Sequence, residues 1–196
     1  MGTFAENYIK ADIIFEHDGY YCVDPTNSKK EPVMMEWETP IMQKMADVSV
    51  DENDNVLELG FGMGILSDMI QAKKPKTHTI AECHKDIIPK LKEWAKDKPN
   101  VVVKETRWIE LLKEDTKYES IILDTYADVD RINFCDFAVR KASLNNTKVT
   151  WWNPKDTALG FDDYRFTKHS VDISPPNTQD YYTKNTFNVP LKILAQ

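Results

Sequence analysis

Two hydrophobic periods alternate along this chain. From residue 39 onward, short apolar runs that suit strands are followed by stretches in which apolar positions recur every three or four residues, the spacing of one helix face. Thr39-Pro40 opens the first helix, because threonine caps well and proline suits the first helical position; Ile41, Met42 and Met45 then share a face. Residues 55–59 read as a strand, and Ile65, Leu66, Met69 and Ile70 mark the helix that follows. The alternation continues with a strand at 77–82 and a helix carrying Ile87, Ile88, Leu91 and Trp94. Next come a strand at 101–103, a weak helix at 109–113, a strand at 120–124, a helix at 132–142 and a strand at 148–152. Residues 171–173 and 187–194 predict two more strands on either side of Pro175-Pro176, and Pro190 assigns the last of them to a sheet edge.

This order predicts an α/β fold: a Rossmann-like, mostly parallel, doubly wound sheet covered on both faces, with an antiparallel C-terminal edge. Residues 1–38 follow no βα pattern and are expected to form an N-terminal lid segment, with 39–196 as the Rossmann-like domain of a single globular unit. A length of 196 residues, 41% of them hydrophobic and 11% aromatic, suits one domain with a full core.

Charge and special residues narrow the function. A net charge of −7 without a basic run argues against nucleic acid and favours a small cationic substrate. Cys22, Cys83 and Cys135 form no CxxC pair and read as free thiols, and no His/Cys cluster has metal-ligand spacing, so no metal is expected. No apolar run is long enough to span a membrane and no signal peptide is visible, so a soluble, cytoplasmic protein, monomeric or homodimeric, is expected.

Glycine is scarce, six in the chain, yet three of the six fall at Gly60, Gly62 and Gly64. The run Glu58-Leu59-Gly60-Phe61-Gly62-Met63-Gly64 ends a strand and opens a helix, where the backbone must turn tightly and approach a ligand. A dinucleotide fingerprint would place its third glycine where Ile65 stands, so a nicotinamide oxidoreductase is disfavoured. An acidic residue two before G-x-G-x-G instead resembles the first motif of Rossmann-like methyltransferases that use S-adenosyl-L-methionine and release S-adenosyl-L-homocysteine. Glu82 ends the second strand of the repeat, where an acidic side chain accepts bonds from ribose hydroxyls, and Asp124 ends the fourth, at the ligand edge of such sheets.

Longer segments resemble the guanidinoacetate N-methyltransferase family. They are Pro32-Val33-Met34-Met35-Glu36-Trp37-Glu38-Thr39-Pro40-Ile41-Met42, the glycine run from Glu58 to Met63, Ile80-Ala81-Glu82-Cys83, Arg107-Trp108, Leu123-Asp124-Thr125-Tyr126, and Pro175-Pro176 followed by Tyr181-Tyr182. The related arginine δ-N-methyltransferases share the Met-x-Trp-Glu, Arg-Trp and Asp-Thr elements. The resemblance implies that Met34, Glu38 and Met42 line the site from the lid side. It implies that Phe61, Gly62, Met63, Gly64, Ile65 and Leu66 wrap the methionine part of the cofactor, with Glu58 near its amino-acid end. Glu82 would hold the ribose, Cys83 and His84 would flank the adenine, and Arg107 and Trp108 would close over it. Glu38 and Asp124 would grip the substrate's guanidino group beside Tyr126.

That chemistry asks for two carboxylates. A guanidinium is delocalised and protonated, so it must be oriented and relieved of a proton before it is nucleophilic; carboxylates match its planar donors, and one can accept the proton. Asp124 is the expected acceptor and Glu38 the orienting partner. After the fifth strand the family carries Asn-Leu-Thr, whose amides hold a substrate carboxylate; here Asn153-Pro154-Lys155 stands, and proline has no N–H. Lys155 would supply a charge instead, or the substrate differs. The stretch 156–170 is short, and a helix usual in the family is expected to be missing. The expected activity is methylation of a small guanidino compound, guanidinoacetate (giving creatine) first, free or peptidyl arginine next; the competing class is a non-catalytic S-adenosylmethionine-binding module.

Overall fold

A computed structural model describes residues 8–23, 29–126, 131–143, 146–155, 159, 161, 166–177 and 181–194, without the side chains of 131–133. The expected α/β order is present. The helices and strands are β1 (Asp12–Phe15), β2 (Gly19–Val23), β3 (Lys30–Met35), α1 (Thr39–Ser49), β4 (Asn55–Leu59), α2 (Ile65–Ala72), β5 (Thr77–Glu82) and α3 (Ile88–Ala95), then β6 (Val101–Glu105), β7 (Ser120–Leu123), α4 (Arg131–Lys141), β8 (Thr147–Trp151), β9 (Thr167–Asp172) and β10 (Thr186–Leu194). The weak helix expected at 109–113 is a 3₁₀ turn, Trp108–Lys113.

Seven strands form the main sheet in the order β6-β5-β4-β7-β8-β10-β9. The first five are parallel, and β10 and β9 add antiparallel to one side. The inner parallel strands β4, β5, β7 and β8 are buried along most of their length because both sheet faces are covered, while the edge strands β6 and β9 are largely half-buried or exposed. Leu57, Leu59, Ile121 and Leu123 point into one layer with Phe134, Phe137 and Trp151. Their neighbours Val56 and Ile122 point into the other, with Ile41, Met42 and Met45 of α1 and Leu66 and Ile70 of α2. Each such fully buried side chain contributes roughly 1.5–3 kcal/mol relative to exposure.

The expectation for Pro190 is corrected. Its strand, β10, is interior, and β9 is the edge. The β8 ladder on β10 covers only Lys192 to Leu194, so the missing proline N–H falls beyond it. The Pro190 carbonyl is used, accepting from Thr150 Oγ1 at 2.6 Å.

Within the N-terminal segment, which showed no helical or βα period, Asp12–Phe15, Gly19–Val23 and Lys30–Met35 form an antiparallel sheet, β1-β2-β3. The small sheet is tied to the start of α3, where Ile13 N–H donates to Asp86 (3.1 Å) and Lys90 lies over the Phe15 ring (4.1 Å). The expected shortening at 156–170 falls largely on positions outside the described residues. Among the described residues, no helix is long and apolar enough to cross a membrane.

Candidate active site

A cavity of about 480 Å³ opens at the carboxyl ends of β4, β5 and β7, walled on its other side by residues 29–34 and Tyr8. This is where an open α/β sheet binds ligands, because successive loops diverge there. Its volume lies in the ~300–1,000 Å³ range of small-molecule and cofactor sites.

The glycine turn forms the floor. Gly60 has φ +94°, and a Cβ there would lie 2.1 Å from the Asp124 carbonyl oxygen, so only glycine lets the two strand ends close up. Gly62 has φ +53° and faces Met34, whose sulfur would be 2.5 Å from an added Cβ. The same sulfur accepts a hydrogen bond from Met63 N–H at 3.2 Å. Gly60, Gly62, Met34, Glu82, Cys83, Arg107 and Trp108 all line the cavity. Glu82 also braces the loops: one oxygen accepts from Phe61 N–H (3.1 Å), the other from Cys83 and His84 N–H (2.7 and 2.8 Å). Trp108 is anchored edge-on against Phe137, ring centroids 4.9 Å apart.

Glu38, Asp124 and Tyr126 also line the cavity, with Asp124 near enough for its charge to act on Glu38. Glu38 sits where the 3₁₀ turn Glu36–Glu38 meets α1, and is buried. Its Oε2 accepts from Met35 N–H (2.9 Å) and its Oε1 from Tyr181 O–H (2.8 Å). Burial, with the nearby Asp124 charge, pushes its carboxyl up to about 8 against the two hydrogen bonds. Asp124 follows β7; burial, then the Glu58 charge, raises it to about 7. Among the described residues no hydrogen bond reaches its carboxylate. Thr125 Oγ1, beside it on the wall, is buried without a hydrogen-bond partner among the described residues. Tyr126 O–H donates to Glu31 at 2.9 Å, which ties the Asp124 loop to the small sheet.

The remaining expected residues lie outside the cavity lining. Glu58 faces inward, with Ser67 Oγ at 2.7 and 2.9 Å and His78 Nε2 at 2.7 Å. Met42 and Leu66 are in the core beside α1 and α2, with Met63 and Ile65 packed against it. Phe61 packs on Trp94 (5.5 Å), and Gly64 starts α2 in the left-handed region. His84 stacks on Tyr8 (4.7 Å) and accepts from Asp86 N–H. Asn153 is buried, Pro154 half-buried and Lys155 exposed. Several lining residues were not expected as site residues, among them Tyr8, Lys29, Lys30, Glu31, Thr125, Trp152 and Tyr181. Thr125 and Tyr181 had a signal, since both lie in segments that carry the family resemblance; Tyr8, Lys29, Lys30, Glu31 and Trp152 had no motif around them.

The donor set suits S-adenosyl-L-methionine. Two Cβ-free positions leave space on the floor, a carboxylate lies at the β5 end, and Arg107 and Trp108 follow β6. Glu38, Asp124, Trp152 and Tyr181 complete the lining, adding two carboxylates and two aromatic side chains to it.

Comparison with known proteins gives the family and the fold. The family model for guanidinoacetate N-methyltransferase matches residues 24–141, more than half of the chain. "Protein arginine N-methyltransferase 2" of Yarrowia lipolytica is 34% identical over 146 residues, 68% of this chain. Its Saccharomyces cerevisiae counterpart is 35% identical over 133 residues, 62% of this chain. The chain spans about 30% of the length of the first and 31% of the second. Among solved structures, N-methyltransferase NodS from Bradyrhizobium japonicum superposes with TM-score 0.63 at 10% identity, covering 82% of this chain and 97% of NodS. A second NodS structure, in complex with S-adenosyl-L-homocysteine, gives 0.61 at 11% identity, covering 81% and 87%. At that identity the likeness is one of fold, a methyltransferase-type Rossmann-like fold.

Proposed function

The chain belongs to the guanidinoacetate N-methyltransferase family, and from that premise we propose that it is an S-adenosyl-L-methionine-dependent N-methyltransferase acting on a guanidino group. The observation that carries this reading is the placement of Glu38 and Asp124 in one cavity lining with the glycine floor. When bound, the cofactor supplies an electrophilic methyl group on a sulfonium. Gly60, Gly62, Met34, Glu82, Arg107 and Trp108 are the residues that would hold it.

The chain's own residues do the rest. A guanidinium enters the acceptor end as a cation and turns its planar N–H donors to Glu38 and Asp124. Glu38, already fixed by Met35 N–H and Tyr181 O–H, sets the angle of the group. Asp124, with its carboxylate open to the cavity, accepts the proton that the reacting nitrogen loses as its new bond forms. Orientation of this kind supplies roughly 7–11 kcal/mol of barrier reduction in well-aligned systems. Residues 1–38, whose small sheet contributes Met34 and Glu31 to the wall, serve as the lid that keeps water out.

Two acceptors fit the reading. Guanidinoacetate follows from the family, but Asn153, Pro154 and Lys155, where its carboxylate would be held, lie outside the cavity lining. Arginine, free or in a peptide, places its carboxyl or backbone several bonds further from the guanidino group and needs no such grip; the names of the relatives favour it. The test is transfer of a labelled methyl group to guanidinoacetate, arginine, agmatine and an arginine-containing peptide. Transfer to at least one guanidine is expected. Binding of S-adenosyl-L-homocysteine with no transfer to any of them would leave the non-catalytic module standing.

A further inference from the structure

Tyr181 comes to Glu38 from the far end of the chain, 143 residues away, on the connection between β9 and β10. Its hydroxyl donates to Glu38 Oε1 at 2.8 Å, and its ring lies 5.7 Å from that of Trp37, the residue before Glu38. Tyr182 stacks on the other part of the same indole, ring centroids 6.4 Å apart, and donates its own hydroxyl to the Thr186 carbonyl (2.7 Å). Trp37 thus clamps the connection, and the connection delivers one hydroxyl to one carboxylate oxygen. Because Met35 N–H occupies the other oxygen, Glu38 is held from both sides and its remaining lone pairs face the cavity.

We propose that Tyr181 is a positioning residue for the guanidino acceptor, acting through Glu38: its hydroxyl fixes the plane of that carboxylate and favours the charged form that grips the cation. This rests on the function proposed above. The titratable groups facing Glu38 are Asp124, whose charge opposes ionisation, and Tyr181, whose hydrogen bond favours it. Burial and the Glu38 charge keep the Tyr181 hydroxyl protonated, so it remains a donor. Among the described residues Asp124 has no such partner, and this asymmetry separates an orienting carboxylate from a proton acceptor.

The test is Tyr181→Phe, which keeps the ring against Trp37 and removes only the donor. Its melting temperature is expected to match that of the unaltered chain. Loss of a hydrogen bond to a charged group predicts a roughly 10- to 100-fold fall in kcat/KM for the guanidine, with the acid limb of the pH profile displaced upward by about one pH unit. Affinity for S-adenosyl-L-homocysteine stays the same. In a Glu38→Ala background, adding Tyr181→Phe is expected to cost nothing further, because the group it acts through is gone. Losses that multiply in the double variant, or a pH profile that does not move, overturn the proposal. A readout independent of turnover is the carbon-13 resonance of the Glu38 carboxyl: Tyr181→Phe raises its titration midpoint if the proposal holds and leaves it in place if not. Should the unaltered chain methylate no guanidine, the functional reading fails on its own, and this resonance still decides whether Tyr181 controls Glu38.

Discussion

Glu58 on one hand, and Glu38 with Asp124 on the other, are acidic groups held in two different surroundings. Glu58, on β4, is fully buried, and both its oxygens are occupied: Ser67 Oγ donates to it, and His78 Nε2 lies at 2.7 Å. Gln71 Nε2 at 3.0 Å from His78 Nδ1 makes that nitrogen the acceptor and Nε2 the donor toward Glu58. The network pins α2 to β4 and β5 and is closed. Glu38 and Asp124 are the same chemical groups lining the cavity: Glu38 accepts one bond on each oxygen, and among the described residues none reaches the Asp124 carboxylate. What separates Glu58 from this pair is that its network closes within the core, whereas the pair can meet a ligand in the cavity.

The comparison is open to measurement, beginning with its largest consequence. Asp124→Asn removes the proton acceptor and is expected to lower kcat by about 10²–10⁴-fold in the methyl-transfer assay, with little change in S-adenosyl-L-homocysteine affinity by calorimetry. An undiminished kcat removes Asp124 from its role. Glu58→Ala leaves a buried hydroxyl and a buried imidazole N–H without acceptors, so urea unfolding is expected to show a loss of roughly 2–4 kcal/mol. Its turnover per folded molecule should fall far less than that of Asp124→Asn; the reverse ranking would make Glu58 part of the site.

A pH series probes the open pair directly. Burial raises Asp124 to about 7 and Glu38 to about 8, and only their ionised forms hold a cation. The sign is therefore fixed: kcat/KM rises with pH through 7 to 8, losing about tenfold per unit below that range for each carboxylate that must be ionised. A flat profile between pH 6 and 8.5 contradicts it. The smallest effect is expected at Lys155, exposed and away from the cavity: Lys155→Ala changes KM for guanidinoacetate by less than about twofold, within the usual reach of surface substitutions. A larger rise in KM would restore Lys155 as the carboxylate partner.

Much of this arrangement was legible before folding. The parallel strands announced themselves as short runs, mostly apolar and β-branched, between stretches of helical spacing, and Gly60 and Gly62 because positive φ and close approach exclude other residues. Glu38 and Asp124 were found through motif context. Less was legible at the chain's start. Strands β1 to β3 are short and largely exposed or half-buried, with patterns such as exposed-buried-exposed-exposed in β1, too weak a period to declare a sheet. Pro190 misled because the rule against proline in an interior strand concerns a missing donor, and the ladder at that point needs none.

Glu58 teaches the same lesson within the site. Its position two before Gly60 suited a ligand contact, but which way a strand residue faces, and what waits there, depends on Ser67 and His78 arriving from other elements. Tyr181 is the converse: a residue to which the resemblance gave no role becomes the partner of Glu38 only when β9 and β10 have docked beside β8.

The sequence by itself determined the alternation of strands and helices, the glycine floor and the presence of two acidic residues at positions suited to a cation. These are local facts, set by periodicity, by backbone dihedrals and by side-chain chemistry. Only the tertiary structure decided which carboxylate is closed into a core network, which ones line the cavity, and which donors hold each. That distinction depends on donors brought from 9, 20 and 143 residues away, and no local pattern encodes a hydrogen bond across such distances.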